Sequence, residues 1–296
     1  MDSKTFLSTL DSATRLQLTA RHPWAGYAHL AGHVGAILVT GTLIAFQVPF
    51  WGLLLPVHGI LMVFVFTLGH ECTHRTPFAS DRACDLAGHA TGLVLILPFH
   101  WFRAFHLSHH RHTNVPGQDP ELEGGKPETL RAWVWHVSGI PIWISQIRTV
   151  VLLAFGRFEA RYISERTRQK MEGEARILLV LYTCAAISLV VSPVLLWVWI
   201  VPLILGQPFL RLYLLAEHGD CPFVENMFLN TRTTFTTRLT RFIAWNMPYH
   251  AEHHTYPMVP FHNLPALHKQ MKAHLGVTSV GYTDFTRGYL ARRRSV

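Results

Sequence analysis

The sequence predicts an all-α integral membrane protein, with four transmembrane helices in two hairpins, interfacial helices and a histidine-rich cap on the cytoplasmic side. Three observations carry that prediction. Of the 296 residues, 49% are hydrophobic and 15% charged, against roughly 25% charged in a soluble domain. No Asp, Glu, Lys or Arg occurs from His22 to His70, nor from Ile177 to Leu210. Eight histidines fall in three clusters, each beside a long apolar stretch: His70-Glu-Cys-Thr-His74, His106-Leu-Ser-His109-His110 and His250-Ala-Glu-His253-His254.

Residues 1–20 are polar and mixed, and the first apolar run is too long for a signal-peptide core. No cleavable leader is expected, and the first span itself directs insertion. Runs of about 20 apolar residues cross the hydrocarbon core, which places spans at 27–48 and 51–70 with a turn at Val48-Pro49-Phe50. The second hairpin follows at 177–192 and 194–216, turning at Ser192-Pro193. Two further apolar stretches are assigned to the interface. Residues 86–102 contain His89, Pro98 and His100; residues 132–155 contain Trp133, Trp135, His136, Trp143 and Arg148, a composition suited to the headgroup region.

This assignment satisfies a parity constraint. If the clusters share one site, they lie on one side of the membrane, so an even number of spans separates any two of them. The formal charge of +8 agrees. The turns at Pro49 and Pro193 carry no basic residue, whereas Arg157, Arg161, Arg166, Arg168, Lys170 and the tail Arg292-Arg293-Arg294 lie outside the spans. The positive-inside rule then puts the clusters and both termini in the cytoplasm. No nucleic-acid motif accompanies the charge. Cys72, Cys84, Cys184 and Cys221 form no CxxC pair and no disulfide framework. With neither a repeat nor a low-complexity linker, residues 1–296 read as one domain.

Neutral imidazole is the commonest protein ligand for iron, copper and zinc. His70 and His74, four apart, share a helix face. The HxxHH spacing adds a ligand at i+3 and a neighbour pointing about 100° away from it, so one cluster can serve two metals. Eight imidazoles exceed what one ion takes, and two metals is the economical reading. His218, where the fourth span meets the cytoplasm, is a ninth candidate. Asn246, one turn before His250, can reach a metal through water. His112, His262, His268, Asp119, Glu71, Glu252 and Asp220 are candidates to hold ligand rings through their second nitrogens. The isolated His22, His29, His33, His58, His89, His100, His136 and His274 read as structural or interfacial. A pair of irons activating dioxygen suits so many imidazoles better than zinc, whose sites use three or four ligands. Zinc binds nitrogen sites more tightly than ferrous iron, so it can substitute in recombinant protein.

The order HxxxH, HxxHH, HxxHH, with a hairpin before the first box and another between the second and third, resembles the membrane fatty-acid desaturase and hydroxylase superfamily. The third box, Asn246-Met-Pro-Tyr-His-Ala-Glu-His-His-Thr-Tyr-Pro257, is similar to that of sphingolipid-type desaturases and carotenoid ketolases, as is Ala216-Glu217-His218. The second box runs into Arg111-His-Thr-Asn and Gln118-Asp-Pro-Glu121, and Val259-Pro-Phe-His-Asn-Leu-Pro265 follows the third, both as in that group. The resemblance covers roughly residues 20–270. It implies a four-span protein with a cytoplasmic di-iron cap that takes two electrons, splits dioxygen and removes hydrogen from an unactivated C–H bond. His70, His74, His106, His109, His110, His218, His250, His253 and His254 match the family's ligand positions, and Asn246 matches one that holds a metal-bound water in some members. No HPGG-type haem motif is present, so the expected electron donor is a separate protein of ferredoxin, rubredoxin or cytochrome b5 type.

The implied reaction is desaturation of an acyl or lipid-like substrate; hydroxylation, ketolation and terminal-alkene formation share its first hydrogen abstraction. A zinc hydrolase needs only about three histidines and leaves the other boxes unexplained. A metal carrier predicts polar residues at mid-membrane, where these spans offer only His29, His33, His58 and Gln207.

Overall fold

The computed structural model describes residues 1–293; Arg294 of the basic tail lies outside them. Two short helices, α1 (Ser3–Thr9) and α2 (Ser12–Thr19), each start on an aspartate whose carboxylate accepts a first-turn N–H. α3 (Ala25–Ala45) carries no charge and is largely exposed, the pattern of a helix whose surroundings are apolar. The expected turn at Pro49 is present, with Gln47 and Phe50 in the left-handed region. A 3₁₀ turn (Trp51–Leu53) then leads into α4 (Leu54–Val63) and α5 (Val65–His74), which together make one apolar rod.

The interfacial assignments need correction in their boundaries. Residues 86–102 are not one segment. They cover the end of α6 (Asp81–Leu95) and the start of α7 (Phe99–His112), which meet at 103°. Ile96 takes a left-handed conformation and Pro98 cannot continue a helix, which sets the break there. Residues 132–155 likewise divide into α8 (Leu130–Val137) and α9 (Ile140–Ala154), bent by 54° at Gly139, whose φ is 75°.

α10 (Glu165–Ser188) also departs from expectation. Ser164 caps its N-terminus, so the helix begins well before the apolar run and carries charges through Arg176. Only Ile177–Ser188 is apolar, with Ile177, Val180 and Ile187 each more than 60% exposed. After the second turn, a π-helical turn (Leu196–Ile200) runs into α11 (Val201–His218). Among the described residues three helices are long and apolar enough to cross a membrane, Ala25–Ala45, Trp51–His74 and Leu196–His218, or up to five spans if each bent pair counts as one. The stretch 177–192 is not among the three.

The remainder forms the cap: α12 (Met227–Asn230), β1 (Thr233–Phe235), α13 (Arg238–Ile243), α14 (His250–Thr255), α15 (Leu264–Met271), β2 (Thr278–Val280) and α16 (Tyr282–Arg293). The all-α expectation is corrected by β1 and β2, which pair in parallel with Thr233 opposite Thr278. β-branched and aromatic residues favour that short strand.

α4 and α11 cross with their backbones touching. A Cβ on Gly59 would lie 2.1 Å from the Pro202 carbonyl oxygen, and one on Gly206 2.2 Å from that of Gly59. Such close approach is how apolar helices gain packing energy without a hydrophobic driving force. The isolated histidines of the spans serve this packing. Trp245 donates to His33 Nδ1, leaving His33 Nε2–H to donate to the Leu61 carbonyl at 2.9 Å. His58 joins Thr40 to the Val198 carbonyl.

Candidate metal centre

Four helices bring the nine histidines together. α5 presents His70 and His74 on its last turn and stops at Arg75, whose φ of 58° ends the helix. α7 presents His106, His109 and His110. Its own N-cap, Pro98, has no side chain to offer, and Glu174 of α10 takes that role by accepting from Phe99 N (2.9 Å) and His100 N (2.8 Å). α11 ends on His218. α14 carries His250, His253 and His254; Glu252 fixes it by accepting from Thr233 Oγ1 (2.6 Å) and pairing with His268 Nδ1 (2.5 Å). Seven of the nine rings are buried, and His74 and His110 are half-buried.

The rings form two adjoining groups. In the first, one nitrogen from each of His70, His106, His110 and His253 lies within 4.8 Å of the others, and His74 Nε2 lies 3.0 Å from His106 Nε2. In the second, His109, His218 and His254 meet the same limit. His250 joins them, its Nε2 3.2 Å from His218 Nε2 and 3.1 Å from His254 Nε2. His110 and His254 stack at 4.0 Å where the groups touch.

Proton bookkeeping in the second group is decisive. His109 Nδ1 faces the Asp119 carboxylate at 2.9 Å, so it carries the proton. His218 Nδ1 faces the Asn230 carbonyl at 3.1 Å, and His250 Nδ1 faces Glu217 Oε1 at 3.4 Å. His254 Nδ1 faces Thr113 Oγ1 at 3.1 Å, and that hydroxyl already donates to the His109 carbonyl. Three rings, His109, His218 and His254, thereby turn an Nδ1–H outward, whereas His250 Nδ1 makes no hydrogen bond among the described residues, and the Nε2 atoms of all four converge. Buried ring nitrogens 3.1–3.2 Å apart need a proton or a metal cation between them. Burial works against a charge on His109, but the Glu121 and Asp119 carboxylates outweigh it and raise the pKa of that ring. In the first group His110 and His253 have both nitrogens buried without a hydrogen-bond partner, and His70 has Nδ1 so. Burial first, then the facing imidazoles, holds His250, His253 and His254 well below the ordinary histidine range. They are neutral, as ligands must be. The donor set suits a metal ion in each group.

The expected partners divide. Asp119 sits against His109. Burial alone would raise its carboxyl, and the His109 contact with the N–H groups of Asn114 and Glu121 outweighs that and lowers it. Glu71 Oε1 lies 3.6 Å from His253 Nδ1. Glu252 and His268 bind each other rather than a ligand ring. Asp220 is a correction: both its oxygens are taken by Arg292 and Arg293. His262 stands by His22, and His112 makes no ring contact or hydrogen bond to the nine among the described residues. Asn246 lies in a left-handed turn that directs its amide to the Phe261 carbonyl, 3.0 Å away.

Sequence reading missed Glu217, Thr113, Glu121 and Glu174. Glu217 is adjacent to His218, and neighbours on a helix point about 100° apart, yet α14 wraps round to meet it. Glu121 Oε2 lies 3.3 Å from His109 Nε2. Glu174 also receives His89 Nδ1 at 2.6 Å, in a third cluster with His100; no local pattern marks it.

Comparison with known proteins agrees with this geometry. The fatty acid desaturase family profile matches residues 48–286. The chain is 31% identical over 147 residues to the sn-1 oleoyl-lipid 12-desaturase of Picosynechococcus sp. (46% of this chain, 42% of that one). It is 24% identical over 248 residues to the enzyme of the same name from Anabaena variabilis (74% and 67%). To the human sphingolipid delta(4)-desaturase/C4-monooxygenase it is 26% identical over 206 residues (68% and 59%). The matched stretches thus span from under half to about two-thirds of these relatives. The chain belongs to the fatty acid desaturase family, a family of oxidoreductases.

Proposed function

We propose that this chain is an O2-dependent, non-haem di-iron membrane oxidoreductase that inserts a C=C bond into a fatty-acyl or lipid-like substrate. The observation that carries this reading is the convergence of four buried Nε2 atoms beside a second group of five imidazoles. His70, His74, His106, His110 and His253 hold one iron, and His109, His218, His250 and His254 the other. The irons supply the oxidising power for an unactivated C–H bond. The chain's own residues do the rest: Asp119, Thr113 and the Asn230 carbonyl set the tautomers of His109, His254 and His218, and the buried walls of α7, α11 and α14 exclude water.

Residues 1–296 act as one domain with four spans, the third being the exposed apolar half of α10, and with α6–α7 and α8–α9 at the interface. The 103° and 54° bends support that placement. The histidine cap and both termini face the cytoplasm, where a ferredoxin, rubredoxin or cytochrome b5-type protein delivers electrons. Hydroxylation on the same scaffold is the second reading, because the human relative's name joins desaturase to C4-monooxygenase.

Mass spectrometry of lipid extracts from cells expressing the wild type or His109→Ala tests the proposal. A product two hydrogens lighter than its precursor, absent from the variant, is expected. A product heavier by one oxygen transfers the assignment to a hydroxylase. No difference, with iron confirmed in the protein and a donor supplied, overturns both.

A further inference from the structure

A cavity of about 450 Å³ opens between α4, α11, α13 and α16, within the range of small-molecule sites. Its two sides differ in chemistry. Ile60, Phe64, Phe209 and Ile243 give an apolar wall. α16 contributes Thr283, Thr286 and Arg287, at i, i+3 and i+4 and so on one helix face. Arg287 is exposed and makes no ion pair with any described residue; Asp284, on the same helix, is not its partner. Tyr213 and Tyr282 line the cavity as well, their rings 5.1 Å apart. Tyr213 lies one helical turn before Glu217, which faces His250.

We infer that this cavity binds a single-chain amphiphile with an anionic head group, a carboxylate or phosphate, through Arg287. The inference rests on the acyl-oxidising reading above and names its substrate class. A guanidinium presents paired donors that match either oxyanion, and the hydroxyl of Thr283 shares its helix face, whereas that of Thr286 already donates to the Tyr282 carbonyl. The apolar wall takes the chain and leads it toward the tyrosine pair behind which the histidines lie. A neutral ester or alcohol of the same length fills the apolar wall but leaves Arg287 without a partner.

The test is binding to the purified full chain in neutral detergent, with zinc in place of iron. Calorimetry compares a long-chain fatty acid, its methyl ester, the matching alcohol and a single-chain lysophosphatidate, on wild type, Arg287→Gln and Arg287→Lys. The wild type is expected to favour the acid over the methyl ester by about tenfold or more, Arg287→Gln to abolish that preference, and Arg287→Lys to restore part of it. Tighter binding of lysophosphatidate than of the free acid, lost in the same variant, assigns the phosphate source. An acid preference that survives Arg287→Gln, or none in the wild type, overturns the inference. Leu212→Trp, which fills the cavity, should weaken acid and ester alike; unchanged binding there places the ligand elsewhere. No turnover is needed, so failure of the oxidase reading and failure of this one are separately visible.

Discussion

In the second imidazole group three of the four Nδ1 atoms have an outward hydrogen-bond partner, a carboxylate for His109, a carbonyl for His218 and a hydroxyl for His254, while among the described residues His250 Nδ1 has only Glu217 Oε1 at 3.4 Å. In the first group none of the five rings hydrogen-bonds to a carboxylate, carbonyl or hydroxyl among the described residues. Their positions come from ring contacts, such as His70 on His106 at 4.1 Å and on His253 at 4.6 Å. The closest carboxylate, Glu71, stops at 3.6 Å from His253 and spends its other oxygen on Thr76 and Phe261 N. Outer partners fix tautomer and orientation before a metal arrives, whereas rings held by packing must settle when it does. The second group is thus the preorganised half.

That comparison breaks most readily under removal of a ligand. Titration of metal-free protein with Zn²⁺ is expected to show a tight and a weak step. His218→Ala should abolish the tight step, a loss greater than the roughly hundredfold upper bound for outer partners, and His253→Ala should remove the weak step alone. Equal steps in the wild type would show that the outer partners add nothing to affinity.

A smaller effect is expected from Asp119→Asn, which keeps the shape and removes the charge behind His109. Affinity in the tight step should fall about 10–100-fold, with the weak step unmoved. Asp119 also accepts from Asn114 N at 2.7 Å and Glu121 N at 2.9 Å, so loop collapse would disturb both steps and reveal itself.

Much of this site was legible in the sequence because its rings recur at helical spacing. HxxxH places two rings on one face and HxxHH adds a neighbour about 100° round, whatever the tertiary structure, and charge depletion marked the apolar rods independently. The outer partners were another matter. Asp119 was found because it follows the second box closely. Thr113 acts across helices that meet only in the folded chain, and Asp220, two residues after His218, turned to Arg292 and Arg293 instead. α10 misled for a local reason: hydropathy registered its apolar half, while Ser164 set where the helix began.

The mildest perturbation tests what both groups share. α7 supplies His106 and His110 to the first group and His109 to the second, so its direction matters to both. Its start rests on Glu174, whose carboxylate accepts from two α7 N–H groups and from His89. Alanine there leaves those donors to water, at a cost of about 1 kcal/mol, typical of a lost cap. In a protein of this size that corresponds to a fall in Tm of about 2–4 °C, readable by a melt in detergent. A shift of the whole helix should weaken the two zinc steps together, by less than Asp119→Asn weakens the tight one. Glu174→Gln, which keeps an acceptor for one N–H, should fall between. Were only one step to move, α7 would not be the shared strut, and the difference between the groups would have to arise from their outer partners alone.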